Sequence, residues 1–133
     1  MVLTPSYHVF AMFSVHQDAR LLKSQLECED YRFGKERIPA LSSSVSRASD
    51  GRINVSLCNV NPKDSIRVAC EISGGRYRKI EGRILKGDAI NVHNTFDAPD
   101  RVRPMAFEAF NGTDSGFDTE LPPMSVATLC LSD

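Results

Sequence analysis

Asp118 and Glu120 are the two residues of this chain whose type and spacing come closest to a bond-cleaving pair. In an extended strand, residues two apart share a face at roughly 6.5–7 Å. Glycosidic cleavage asks for a proton donor and a second carboxylate about 5–9 Å apart, so the spacing is permissive. The neighbours decide otherwise: Phe117, Thr119 and Leu121 occupy the opposite face, which turns that face to a core and the carboxylates to water. The histidines offer no centre either. His8 and His16 lie about 12 Å apart along a helix, too far to share a metal with bonds of about 2 Å. His93, which the sequence places after a strand, has no second ligand at metal-site spacing and reads as a hydrogen-bonding residue. Ser14, His16 and Asp18 have the composition of a nucleophile relay, but residues two apart on a helix do not face each other, and no GxSxG turn occurs.

The remaining candidates fail on the same kind of ground. Cys28, Cys58, Cys70 and Cys130 form no CxxC pair, and the last three sit in strand-like patterns as small hydrophobes. Asp97, Asp100 and Asp114 lack the ordered spacing of a calcium loop. Gly74-Gly75 leads into no phosphate cradle. Arg76-Tyr77-Arg78-Lys79 and the Arg101, Arg103 pair are the basic clusters; Glu71 and Glu81 flank the first, and the whole chain carries a formal charge of −1. Nothing draws a nucleic acid. No apolar run is long enough to span a membrane, and the opening residues do not read as a secretion signal. The sequence therefore predicts no catalytic residue, no metal, no cofactor, no nucleic-acid or membrane partner, and a cytoplasmic setting, any signal of a longer parent lying upstream.

The elements that hold these residues read as one helix followed by strands. Thr4 caps a helix and Pro5 suits its first position, where a missing N–H has no intrahelical partner to lose. Tyr7, Phe10, Ala11 and Ser14 trace one face, and Val9, Met12, Phe13 and His16 an adjacent one, so the helix wants neighbours on two sides. Residues 21–40 read as a connection of weak periodicity. From Leu41 the period becomes two: Leu41–Ala48, Ile53–Asn59, Ile66–Ile72, Lys79–Leu85, Ala89–His93, Phe107–Phe110, Phe117–Leu121 and Ser125–Leu131 are the expected strands. Turns at Asp50-Gly51, Asn61-Pro62 and Gly74-Gly75 separate the first four. The expected class is all-β, an antiparallel, jelly-roll-like β-sandwich preceded by one helix; strand count alone leaves a closed barrel open.

Several blocks resemble glycoside hydrolase family 51 α-L-arabinofuranosidases, in that family's order. These are Met1–Phe10 with Met12 and Val15–Ala19, Asp50–Asn59 with Asn61-Pro62, His93–Pro99 with Val102 and Pro104, and Leu121–Val126. The resemblance implies a C-terminal sandwich (41–133) behind a connection (21–40), and a remnant (1–20) of the last helix of a (β/α)8 barrel. It implies a parent enzyme that removes terminal non-reducing α-L-arabinofuranosyl groups from arabinan or arabinoxylan oligosaccharides with retention. The two catalytic glutamates would lie in the barrel, so the chain itself is expected to be inactive. Thr4, Ser6 and Tyr7 would match a loop at the edge of the sugar pocket, where some members place a glutamine. The apolar faces of Val9, Phe10, Met12 and Phe13 would be covered by the barrel and the sandwich; without the barrel, the helix is expected to pair with another copy of the chain or to fold back over the sandwich. A carbohydrate-binding module with its own sugar site is the competing reading; Tyr77 is the loop aromatic that would serve it.

Overall fold

The computed structural model describes all residues, 1–133. Thr4 Oγ1 accepts the Tyr7 N–H at 3.1 Å, and helix α1 runs Pro5–Phe13. It is shorter than expected, because Ser14–His16 tighten into a 3-10 turn. Ser14 Oγ donates to the Ala11 carbonyl at 2.7 Å, a local bond that competes with the helix ladder, and Ser, Val and His are all indifferent helix formers.

Eleven strands follow: β1 Arg20–Leu21, β2 Asp30–Phe33, β3 Glu36–Pro39, β4 Leu41–Arg47, β5 Ile53–Asn59, β6 Ile66–Glu71, β7 Lys79–Lys86, β8 Met105–Ala106, β9 Phe110–Gly112, β10 Gly116–Leu121 and β11 Ser125–Ser132. They form a six-stranded sheet in the order β1-β4-β5-β11-β7-β8, a three-stranded sheet β6-β10-β9, and a separate β2-β3 hairpin. Every pairing is antiparallel. Two facing sheets, each with free edges, make this a sandwich rather than a closed barrel.

Alternation along the strands builds the core. Ile53, Val55 and Leu57 of β5, Ala127, Leu129 and Leu131 of β11 and Ile84 of β7 meet Phe117 and Leu121 of β10 between the sheets. Phe117, Thr119 and Leu121 are buried while Asp118 and Glu120 are exposed, as their alternation predicts.

Three expectations are corrected. Residues 21–40 begin with the second residue of β1 and hold the β2-β3 hairpin, turned by Gly34 at φ +59 in a two-residue loop with Lys35. Ala89–His93 forms no strand; the Val92 N–H turns back to the Ala89 carbonyl at 3.1 Å. Phe107–Phe110 is not one strand, because the chain leaves the large sheet after β8 and joins the small one at β9. That crossing lets both rings reach the core although they are three apart; their centroids lie 6.2 Å from each other.

Gly82 makes the crossing possible. Its carbonyl accepts the Phe107 N–H at 2.9 Å, and a Cβ at this position would lie 2.6 Å from the Phe107 carbonyl oxygen and 3.2 Å from the Phe110 ring. Backbone cannot yield there as a side-chain tip could. Gly82→Ala is expected to cost about 1–3 kcal/mol by overpacking, read as a lower urea midpoint at unchanged slope.

Candidate functional site

Helix α1 lies on the outer face of the large sheet. Met12 is buried against Leu85 and Val102, with Val9, Phe13 and Val92 packed around them. The two apolar faces read from the sequence thus have different fates. Val9, Met12 and Phe13 cover the chain's own sheet; Phe10, 81 % exposed, and Tyr7, 53 % exposed, point away. Sequence alone could not rank the faces, since both are apolar and only the sheet's outer residues choose between them.

The 3-10 turn is seated by a polar contact. His16 Nδ1 and Nε2 each lie 2.6 Å from a serine hydroxyl, Ser46 Oγ on β4 and Ser56 Oγ on β5. Both serines are buried. A neutral imidazole offers one donor and one acceptor, and each hydroxyl can play the complementary part. Burial holds the His16 pKa below its ordinary value because desolvation disfavours the imidazolium. The relay considered from the sequence is absent: the His16 nitrogens engage Ser46 and Ser56, while Ser14 bonds to Ala11.

The other end of the helix is held by Asn94. Its Nδ2 donates to the Leu3 and Val102 carbonyls, both at 2.8 Å, and its Oδ1 accepts the Val102 N–H at 2.6 Å. Thr4, Ser6 and Tyr7 are brought together here, though as the cap and first turn of α1 rather than as a loop. All three are exposed.

No reactive centre accompanies this surface. No cluster of three or more His, Cys, Asp or Glu residues is arranged to hold a metal ion. His93 Nδ1 lies 3.0 Å from the Asn91 carbonyl, in an exposed loop rather than after a strand. Burial pushes the Cys58, Cys70 and Cys130 thiols up, away from the thiolate a nucleophile needs. Tyr77 is half-buried against the core and offers no open platform. The exposed aromatics are instead Phe10, Phe33 and Phe96 with Tyr7. The sequence singles out neither Phe33 nor Phe96 as a binding aromatic. Phe96 lies two residues beyond Asn94, and a strand expected over 89–93 gives no reason for the carboxamide bonds that Asn94 makes. No helix is long and apolar enough to cross a membrane.

The chain is an antiparallel sandwich with one helix packed on the outer face of its large sheet. The sequence matches the family model "Alpha-L-arabinofuranosidase C-terminal domain" over residues 1–125, and the chain belongs to that family. It is 34 % identical over 130 residues to an intracellular exo-alpha-L-arabinofuranosidase of Bacteroides ovatus, a match that covers 97 % of this chain and 25 % of the relative. The crystal structure of the glycoside hydrolase family 51 arabinofuranosidase from Xanthomonas axonopodis pv. citri superposes with a TM-score of 0.95 at 37 % identity, over 99 % of this chain and 27 % of that one. A thermostable family 51 enzyme from Thermotoga petrophila shares the fold, with a TM-score of 0.83 at 23 % identity over 98 % and 29 % of the two chains. The chain thus spans about a quarter of the length of the relatives it matches.

The His16 seat carries a sign. Because its folded pKa is depressed, its contribution to stability is fully present above the unfolded value of about 6.5 and is lost as pH falls through the folded value. His16→Gln, which keeps a donor and an acceptor, is expected to remove that part of the decline. Urea unfolding between pH 7.5 and pH 5 should show wild type losing more stability than the variant; parallel curves would refute the assignment.

Proposed function

We propose that this domain supports the catalytic unit of an α-L-arabinofuranosidase and takes no part in the bond chemistry. The parent reaction is release of terminal non-reducing α-L-arabinofuranosyl groups from arabinan or arabinoxylan oligosaccharides, with retention of configuration. The observation that carries the reading is the division of α1: one face is buried on the sandwich while Tyr7 and Phe10 are left in water. A helix with a second apolar face is what a joint between two folded bodies requires. The catalytic barrel is the proposed neighbour, and the Thr4, Ser6 and Tyr7 turn is the part of this chain nearest the edge of its sugar pocket. Without that barrel the same helix face would pair two copies of the chain. The Bacteroides ovatus relative is described as intracellular, which supports a cytoplasmic setting for this protein as well.

Asp118 and Glu120 support the non-catalytic half of the reading. They stand on the solvent side of β10, whereas a glycosidic proton donor works from a desolvated pocket. The 133-residue chain is expected to release no p-nitrophenol from p-nitrophenyl α-L-arabinofuranoside above a buffer blank, and the full-length enzyme to release it readily. Phe10→Ser in the full-length enzyme should cost about 1.5–3 kcal/mol at the joint, seen as a lower melting midpoint. Hydrolysis by the 133-residue chain in proportion to its concentration, abolished by Asp118→Asn or Glu120→Gln, would overturn the proposal.

A further inference from the structure

The segment between β7 and β8, residues 87–104, has no regular structure, and loops of this length are uncommon inside compact domains without a function of their own. Its middle is rigidly built. The paired bonds between Asn94 and Val102 close residues 94–102 as a ladder rung would, and the bond to Leu3 fastens the closed loop to the residue ahead of the Thr4 cap. Above that staple, Thr95 and Ala98 exchange both backbone bonds at 3.2 Å, and the Ala98 N–H also lies 3.1 Å from Thr95 Oγ1. Phe96 and Asp97 are the two central residues of the resulting turn.

Turn tips usually carry glycine, proline or short polar side chains. Here a phenylalanine is held in place with 89 % of its surface in water, so it forgoes the burial that normally accounts for its type. Nothing within the chain gains from it. A bulky apolar side chain on a pre-ordered backbone is, however, what an interface anchor requires, because little conformational freedom remains to be lost on binding.

We propose that Phe96 is a docking anchor that inserts into the catalytic unit, and that Asn94 is the residue that positions it. The inference rests on the domain reading above and adds a second, separate point of attachment to the helix face. The catalytic unit is the occupant for two reasons. Each relative carries a large further body beyond the part this chain matches. Asn94 also ties the tip to Leu3, so Phe96 is placed relative to the start of α1, whose face bears Phe10.

The chain contains no tryptophan, so tryptophan emission from the full-length enzyme arises outside this domain. Phe96→Ser, Asn94→Ala, Phe96→Leu and Phe10→Ser in that enzyme form the test, with far-UV circular dichroism verifying that the exposed substitutions leave the sandwich folded. Phe96→Ser and Asn94→Ala are expected to lower the tryptophan-detected melting midpoint by several degrees. They should also speed hydrogen exchange at residues 95–98 by at least about tenfold, with Phe96→Leu restoring most of both. If Phe10→Ser lowers the midpoint and Phe96→Ser does not, the anchor is refuted and the domain reading stands. If neither variant moves it, both fall. A fall with Phe96→Ser alone upholds the anchor and refutes the helix face.

Discussion

The side-chain amide of Asn59 is the tie on which the two-sheet arrangement depends. Only 1 % exposed, at the end of β5, its Nδ2 lies 3.0 Å from the Asp64 and Pro122 carbonyls and 3.3 Å from that of Leu121, while its Oδ1 accepts the Asn61 N–H at 3.0 Å. Asp64 belongs to the link from β5 to β6, and Pro122 to the link from β10 to β11. Both links carry the chain between the two sheets, and one amide holds them together. The Met124 N–H adds a bond to the Asn61 carbonyl at 3.0 Å, and Ser125 Oγ donates to the Pro122 carbonyl at 2.7 Å. Burying carbonyls at a crossover is costly unless each finds a donor, and here one side chain reaches three. The turn itself is closed by Asn61 Oδ1, which accepts the Lys63 and Asp64 N–H groups.

With the inner faces joined, the remaining constraint is the outer face of the large sheet. β5 is buried on both sides along most of its length, so its outward residues Asn54 and Ser56 need partners. Helix α1 and its 3-10 turn provide them: Asn54 Nδ2 reaches the Val15 carbonyl at 3.5 Å and Ser56 meets His16. The cover is oily where the sheet offers Leu85 and polar where it offers serines. The N-terminal segment is therefore an integral layer of this domain. The second apolar face of its sequence already calls for such a neighbour.

How much of this was legible follows from what each element buries. β10 and β11 alternate in burial because one face of each meets the core, and the period-two run that begins at Ile53 in the sequence is β5. β2 and β3 eluded the same test. Apart from half-buried Tyr31, every residue of the hairpin is exposed, so nothing selects a clean period, and Arg32 opposite Arg37 is an unfavourable cross-strand pair. The helix was evident from Thr4 and Pro5, yet its end was not, since the Ser14 hydroxyl's choice of the Ala11 carbonyl leaves no pattern. The site was half legible. The absence of a catalytic pair could be argued from Phe117, Thr119 and Leu121 alone, but the assignment of Val9, Met12 and Phe13 to the sheet required the sheet.

The two ends of the sandwich differ in a way that ties these observations together. The row Leu41, Asn59, Ser125, Lys86 marks one end of the large sheet. The segments that leave past it carry Phe33, Ile38, Ile90 and Phe96, all exposed. The row Arg47, Ile53, Leu131, Ile80 marks the other end, and its turns carry Asp50, Gly51, Arg52, Gly74, Gly75 and Arg76. Asn94 binds one of the apolar segments to the start of α1, so the loop tip is joined to the helix by a direct hydrogen bond. The hydrogen bonds that close the loop and the cap that starts the helix thus meet at one place, where the Leu3 carbonyl accepts from Asn94 and Thr4 accepts the Tyr7 N–H.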